Sequence, residues 1–145
     1  MTAPTFWYGN GLKSMASAGL GLSSVTGTVK MMFLSSAYVF DQDAHDFLND
    51  VNANEVTGTG VAAGGVTLAS VTVTYDGTTN TVSIDAADIT GISVSACYGV
   101  IHVSTGTATT SPLYLAVDFS EGTATNVTIT GVTWNASGIA ALTAA

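Results

Sequence analysis

The densest group of chemically capable side chains lies at residues 41–50, which read "DQDAHDFLND". This segment holds four of the ten acidic residues and one of the two histidines of the chain. The five residues are Asp41, Asp43, His45, Asp46 and Asp50. Carboxylates and an imidazole at this density can bind a metal ion, transfer protons or begin a helix near its positive end. The choice among these roles decides whether the sequence predicts an enzyme.

A capped helical turn is the interpretation that the segment favours. Calcium prefers several oxygen ligands, and Asp41, Asp43 and Asp46 offer them, but the glycine and terminal glutamate of an EF-hand loop are missing. Three apolar residues downstream fall on one helical face: Phe47, Leu48 and Val51. Asp41 or Asp43 would then be the N-cap, with Asp46 in the first turn. Calcium stays the minor alternative, and we expect no other cofactor.

The chain offers little else for catalysis. His45 and His102 are far apart in the sequence and have no partner at zinc-ligand spacing. A Gly-x-Ser-x-Gly nucleophile motif is absent from the sequence. The single cysteine, Cys97, lies among apolar residues and is interpreted as a buried thiol. We therefore expect neither a catalytic site nor a zinc site, and predict that the protein is not an enzyme.

Charge is scarce in this chain. Charged residues make up 8% of its 145 residues, against roughly 25% in an average globular protein. Depletion of charge is typical of surfaces that partners cover, so we expect a homo-oligomer, with a trimer favoured, or an assembled protein. A secreted, threonine-rich β-domain is the alternative. The length suits one domain spanning 1–145, in which 1–26 form an N-terminal arm and a short helix.

The sign of the charge excludes two classes of partner. The net charge is -8, with Lys13 and Lys30 as the only cationic side chains besides the histidines. Binding to nucleic acid or to an anionic membrane depends on clustered Lys and Arg. The longest apolar runs are also shorter than the ~18 residues of a membrane span, and the N-terminus lacks the features of a signal peptide. We expect no nucleic acid and no membrane.

The spacing of apolar residues predicts a mainly β protein. A short helix is expected within 11–20, because Leu12, Met15, Ala16 and Leu20 share a helical face. Strands are expected at 28–36, 71–75, 81–84, 93–103, 112–119 and 126–134, the last with a bulge at Gly131. The predicted fold is an antiparallel β-sandwich or barrel-like domain with one or two short helices in the N-terminal third.

Two segments are candidates for contact with a partner. Phe6, Trp7 and Tyr8 form an aromatic cluster that either plugs the core or anchors a partner, with the core slightly favoured. The loop 57–66 carries four glycines: Gly58, Gly60, Gly64 and Gly65. Since these glycines do not open a helix after a strand, a phosphate-binding loop is not predicted. Together with the termini 1–10 and 135–145, this loop is a candidate contacting arm.

Several short motifs follow one another in a recognisable order along the chain. They run from "WYG" at 7–9 through "VKMMFLSSAYVFDQDAHDFLNDV" to "EVTGTGVAAGGVTL". They continue with "VTYDGTTNTVSIDAADIT", "ACYGVIHV", "TSPLYLAVDF" and "TWNASGI". This order resembles a family of small virion proteins of tailed bacteriophages, although the chain is poorer in charge than expected of that family and lacks a Trp soon after "ADIT". The resemblance spans about Trp7 to Ile139 and implies a structural virion component with no catalytic residues.

The resemblance and the charge together give an expected location. A protein of net charge -8 is repelled by packaged DNA, so the outer surface of the capsid is favoured over its lining. Decoration or cement proteins commonly lie there as trimers and bridge the major capsid protein subunits. A neck, tail or fibre component is the first alternative. A carbohydrate- or surface-binding β-module on the particle, assisted by calcium, is the second.

Overall fold

The protein was analysed as a computed structural model that describes residues 3–16 and 28–143. This part of the chain is mainly β, with antiparallel sheets and a few short helical pieces, as predicted. The strands are β1 (Thr5–Trp7), β2 (Thr28–Leu34), β3 (Val66–Thr67), β4 (Thr72–Asp76), β5 (Thr81–Asp85), β6 (Val94–Ala96), β7 (Tyr98–Ser104), β8 (Leu113–Asp118), β9 (Val127–Ile129) and β10 (Ala140–Thr143). The helical pieces are α1 (Gly9–Ala16) and three 3₁₀ turns at Leu48–Asp50, Asn52–Asn54 and Ala108–Thr110.

A five-stranded antiparallel sheet organises the fold, in the order β1-β8-β7-β2-β3. Side chains alternate between its two faces, so Met31 and Phe33 of β2 point to one side and Met32 and Leu34 to the other. All four are buried, because each face is covered by its own apolar cluster. The continuous apolar run in β2 therefore reflects a sheet without a solvated face.

The two clusters differ in what covers the sheet. The main core lies on the face packed against the remaining strands, which form a three-stranded sheet, β10-β5-β4, and a pair, β6-β9. This gives a sandwich-like arrangement. The second core lies on the opposite face, under helix α1 and the loop after β2. Its buried members are Tyr8, Met32, Leu34, Tyr38, Val51, Val100, Leu113 and Ala116.

The predicted strand 93–103 is in fact two strands with different partners. β6 pairs with β9, whereas β7 pairs with β2 and β8 in the five-stranded sheet. Cys97 lies between them, fully buried, with its backbone N–H donating to the carbonyl oxygen of Leu34 at 2.8 Å. The prediction of one strand was wrong because apolar residues on both faces do not reveal where a chain passes from one sheet to another.

A bulge in β8 corrects a second prediction. Ile101 pairs with Leu115 and His102 pairs with Leu113, so Tyr114 has no partner of its own across β7. The extra residue reverses the alternation, and Leu113 consequently faces the second core while Leu115 faces the main core. The expectation that the odd-numbered residues from Leu113 onward share one face was wrong for Leu113.

The last predicted strand also ends earlier than expected. β9 stops at Ile129, and the chain then makes an isolated bridge between Val132 and Ile89. Gly131 is thus not a bulge within a long strand but part of the turn between two short pairings. By contrast, the predicted hairpin is confirmed, with β4 and β5 paired from Thr72 and Asp85 to Asp76 and Thr81.

The helix predicted within 11–20 is present as α1, which spans Gly9–Ala16. It begins two residues earlier than predicted, while positions 17–20 lie outside the described residues, as do 1, 2 and 21–26 of the predicted arm. Gly11 is pressed against β8, where an added Cβ would lie 2.7 Å from the carbonyl oxygen of Leu113. In the described part of the chain, no helix is long and apolar enough to cross a membrane.

Candidate interaction surface

The acidic segment belongs to the loop between β2 and β3, and it covers the second core rather than lining a cleft. Its backbone is tied to the chain around β8. Leu48 N–H donates to the carbonyl oxygen of Ser111 at 2.9 Å, and Leu113 N–H donates to that of Asp46 at 3.0 Å. These hydrogen bonds hold the loop over β8 while Val51 packs inward with no exposed surface.

Asp41 caps a turn and not a helix. Its Oδ1 accepts hydrogen bonds from the backbone N–H groups of Ala44, at 2.9 Å, and Asp43, at 3.0 Å. These bonds, that from Ala44 first, hold the pKa of the Asp41 carboxyl below its usual value. The prediction of a helical N-cap at Asp41 or Asp43 was therefore wrong, although the type of hydrogen bond is the one expected of a capping aspartate.

A second aspartate closes the following turn. Oδ2 of Asp50 accepts from the N–H groups of Asp46 and Phe47, both at 2.9 Å. Only a single 3₁₀ turn forms at Leu48–Asp50, because Phe47 is extended and pairs with Pro112. Phe47 is exposed while Val51 is buried, so the predicted apolar helical face does not exist.

The carboxylates of this segment are used to order the backbone. In the described ranges, no three or more His, Cys, Asp or Glu side chains come together in a way that could hold a metal ion. Calcium binding by Asp41, Asp43 and Asp46 stays a prediction to which the geometry adds no support.

His45 belongs to a chain of hydrogen bonds that leads into the second core. The hydroxyls of Tyr8 and Tyr38 are 2.7 Å apart, and the Tyr38 hydroxyl is 3.2 Å from Nδ1 of His45. Nδ1 also accepts from the N–H of Asp41 at 3.3 Å, an arrangement in which Tyr38 donates to Nδ1 and Tyr8 donates to Tyr38.

Burial makes these phenols poor acids. It raises the pKa of Tyr38 to about 12, and it raises that of Tyr8 well above the ordinary value, with Tyr38 adding to the effect. A general base or acid at neutral pH needs a pKa near 7. The hydrogen bonds of Tyr8 and Tyr38 thus fasten the acidic loop to the core, and the two phenols are poor proton donors at neutral pH.

The aromatic cluster at 6–8 is divided between core and surface. Tyr8 is completely buried in the second core, and Trp7 is half-buried against the main core. Phe6, in contrast, is 41% exposed, and its ring lies 5.4 Å from that of Phe40 between centroids. Val39, next in the chain to Phe40, is 77% exposed. Phe6, Val39 and Phe40 are called the edge patch below.

The edge patch lies where a partner can reach it. Phe6 is on β1, the last strand at one side of the five-stranded sheet, whose hydrogen-bonded partner is β8. An edge strand presents unpaired backbone groups on its outer side. Apolar side chains beside such an edge are a site for protein contact and a liability if left uncovered.

Three of the four glycines of loop 57–66, Gly58, Gly60 and Gly65, lie against the protein's own backbone. A Cβ added to Gly58 would collide with the carbonyl oxygen of Ser93, and one added to Gly65 with that of Met31. Gly60 has a φ of 71° and Gly64 a φ of 89°, values that favour glycine. These glycines therefore have a structural reason for being there, and their proposed contact with a partner stays a prediction.

Sequence reasoning missed one buried carboxylate, Asp118. Its Oδ1 accepts from the N–H and the hydroxyl of Ser120, at 2.9 and 2.6 Å, and its Oδ2 from the N–H of Gly122 at 2.8 Å. The hydroxyl of Ser120 in turn accepts from Sγ of Cys97 at 3.3 Å. Asp118 followed by Ser120 and Gly122 is a turn pattern, which is the signal that would have identified it.

The chain matches no model of a protein family, no curated protein and no solved structure with which it was compared.

Proposed function

We propose that the protein is a structural component of a bacteriophage virion, a decoration protein that binds the outer surface of the capsid and stabilises the shell. The observation that supports this most directly is the edge patch, in which Phe6 and Val39 are exposed and Phe40 is half-buried in ring contact with Phe6, on and beside β1, the outermost strand of the five-stranded sheet in the described part of the chain. Such a surface is typical of a site that a permanent partner covers. The role is binding, and the proposal assigns no catalytic residue.

The surroundings of the edge patch define the partner's chemistry. Asp41 and Asp43 follow Phe40 within three residues and are exposed, so the patch has an acidic rim. A complementary surface would present an apolar groove for the two phenylalanine rings and cationic side chains around it. We assign that surface to the major capsid protein, or to another virion protein in contact with it.

The charge of the protein supports a location on the outside of the particle. With net charge -8 and no arginine, the protein would be repelled by packaged DNA, whereas the outer shell imposes no such cost. Many copies repeated over the shell would each add a small amount of stability. A homo-oligomer, with a trimer favoured, would place several edge patches on neighbouring capsid subunits at once.

The proposal is tested by restoring the protein to particles that lack it. Wild-type protein should bind at a copy number close to that of the major capsid protein and raise the temperature at which the shell opens. The double variant Phe6→Ser, Val39→Ser should lose binding by at least about tenfold, because truncating a central anchor costs ~1.4 kcal/mol or more. Quantitative mass analysis of purified particles and a thermal release assay provide the two measurements.

A matched control separates loss of the patch from loss of an exposed apolar group in general. Tyr75, 66% exposed on the hairpin β4–β5, belongs to the three-stranded sheet and not to the five-stranded sheet that carries Phe6. Tyr75→Ser should bind the particle as the wild type does. A stoichiometry of a few copies per particle would refute capsid decoration and favour the neck, tail or fibre alternative. Equal loss in both variants would refute the edge patch as the binding surface.

A further inference from the structure

A pocket of about 140 Å³ opens beside β1, on the face of the sheet opposite the edge patch. Its inner wall is made by buried side chains of the main core, among them Val117, Phe119 and Ile139. The ring of Phe119 is held in place by stacking on Phe33 at a centroid distance of 5.9 Å. The apolar wall is thus part of the rigid core and is formed before any ligand arrives.

The rim of the pocket is polar and is built from the C-terminal segment and β1. It includes Thr5, Thr133, Trp134 and Asn135. Every side chain that lines the pocket in the described part of the chain is uncharged. A ligand that loses its water here must therefore be neutral, since no opposite charge would offset the desolvation of an ion.

Two rim residues are fixed by hydrogen bonds that leave specific groups for a ligand. Trp134 donates from Nε1 to the carbonyl oxygen of Ala87 at 3.3 Å, so its remaining contribution is the surface of the indole ring. Oδ1 of Asn135 accepts from the N–H of Ser137 at 2.8 Å, which fixes the amide while its Nδ2 carries two further donors. The pocket therefore combines aromatic surface with fixed hydrogen-bonding groups.

We propose that this pocket binds a single neutral sugar ring. A pyranose has an apolar C–H face, suited to the indole of Trp134, and a border of hydroxyls, suited to Asn135 and the rim threonines. At about 140 Å³ the pocket takes only part of such a ring, so the apolar face would enter it and the hydroxyls would stay at the polar rim. Thr5 lines the pocket while its neighbour Phe6 belongs to the edge patch, so β1 would serve two partners on its two faces.

The site does not depend on the protein being a capsid component. The sugar site would let this protein contact a glycan, whether the protein is bound to a virion or to any other surface. One ring of about a dozen heavy atoms in a small pocket gives an expected Kd on the order of 1 mM. Repetition on an assembly would strengthen such weak binding.

The test follows the two indole N–H signals of ¹⁵N-labelled full-length protein during titration with methyl glycosides of glucose, galactose, mannose and N-acetylglucosamine. Trp7→Phe assigns the two signals. At least one glycoside should shift the signal of Trp134 saturably. Thr133→Tyr, at an exposed rim position, should abolish the shift, and Asn135→Ala should weaken binding by about fivefold or more.

Thr128→Tyr is the matched control, because Thr128 is exposed on β9 and does not line the pocket. It should bind the same glycoside as the wild type does. The proposal is overturned if none of the four glycosides gives a saturable shift, or if binding persists in both Thr133→Tyr and Asn135→Ala. Capsid binding should be unaltered in Asn135→Ala, so the failure of either proposal can be recognised separately.

Discussion

At the scale of single residues, His102 makes stability depend on pH. It is 1% exposed, and within the described residues its Nδ1 has no hydrogen-bond partner. Burial, with a smaller contribution from Lys30 on the neighbouring strand, lowers the pKa of His102 from 6.5 to about 4. The unfolded chain therefore binds a proton that the folded protein does not bind between these two values.

The sign of the effect follows from that difference. The contribution of His102 to the free energy of unfolding is fully present above pH 6.5 and is lost as the pH falls toward 4. The total loss is about 3 kcal/mol, because each pH unit between the two pKa values costs ~1.4 kcal/mol. Denaturant unfolding between pH 7.5 and 4.5 measures it. His102→Met should have a flatter profile over this range, and equal slopes for the two proteins would contradict the assignment. Asp41 and Asp76, whose pKa values are lowered, act in a more acidic range.

Asp118 gives a second prediction at this scale. Asp118→Ala would leave the N–H groups of Ser120 and Gly122 without their acceptor, and burial prevents water from replacing it fully. We expect a loss of about 2–4 kcal/mol in the free energy of unfolding, since each unsatisfied group costs ~1–3 kcal/mol. Asp76 makes similar bonds to the N–H groups of Thr78 and Thr79 but is exposed, so Asp76→Ala should cost clearly less. Equal losses by denaturant unfolding would contradict this.

At the scale of elements, the sequence predicted the features that neighbouring residues determine. It did not predict the features that depend on pairing between strands distant in the sequence. The hairpin β4–β5 was predictable because its alternation and its turn lie within fifteen residues of sequence. The break at Cys97 and the bulge at Tyr114 were not, because each is decided by which strand lies alongside. The same holds for the site. The sequence left Phe6 open between the core and a partner contact, because its exposure depends on where Phe40, from a different loop, is placed.

The loop 57–66 provides the element-scale prediction. Gly65 has a φ of 87° and lies against Met31 of β2, whereas Gly106 has a φ of 90° and nothing within 4 Å of its would-be Cβ. Alanine at Gly106 should cost only the backbone strain of ~1–2 kcal/mol. Alanine at Gly65 should cost about 3 kcal/mol or more, because the loop must also shift from β2.

Denaturant midpoints of the two variants measure this difference. Because the φ angles of Gly65 and Gly106 are nearly equal, the excess cost at Gly65 reports mainly the close approach of the loop to β2. Equal midpoints would show that the loop does not depend on this contact. Equal midpoints would also favour the interpretation of the loop 57–66 as a mobile arm that contacts a partner.

At the scale of the whole molecule, the distribution of charge predicts how binding responds to salt. The edge patch is apolar and its rim is acidic, while the only cationic side chains besides the histidines are Lys13 and Lys30. Rim charges act mainly on the rate of association, and buried apolar contacts act mainly on the rate of dissociation. If the proposed partner carries a basic border, salt should slow association and leave dissociation nearly unchanged.

The corresponding experiment measures both rates for particles and protein from ~0.05 to ~1 M salt, over which the screening length falls to ~3 Å. Association should slow several-fold, while dissociation should change by less than about twofold because few charges are desolvated in the contact. In Phe6→Ser the rate that changes should be the dissociation rate, which should exceed that of the wild type at every salt concentration. Dissociation that accelerates steeply with salt would mean that acidic side chains hold the complex together. The contact would then have to be assigned to Asp41 and its neighbours instead of the edge patch.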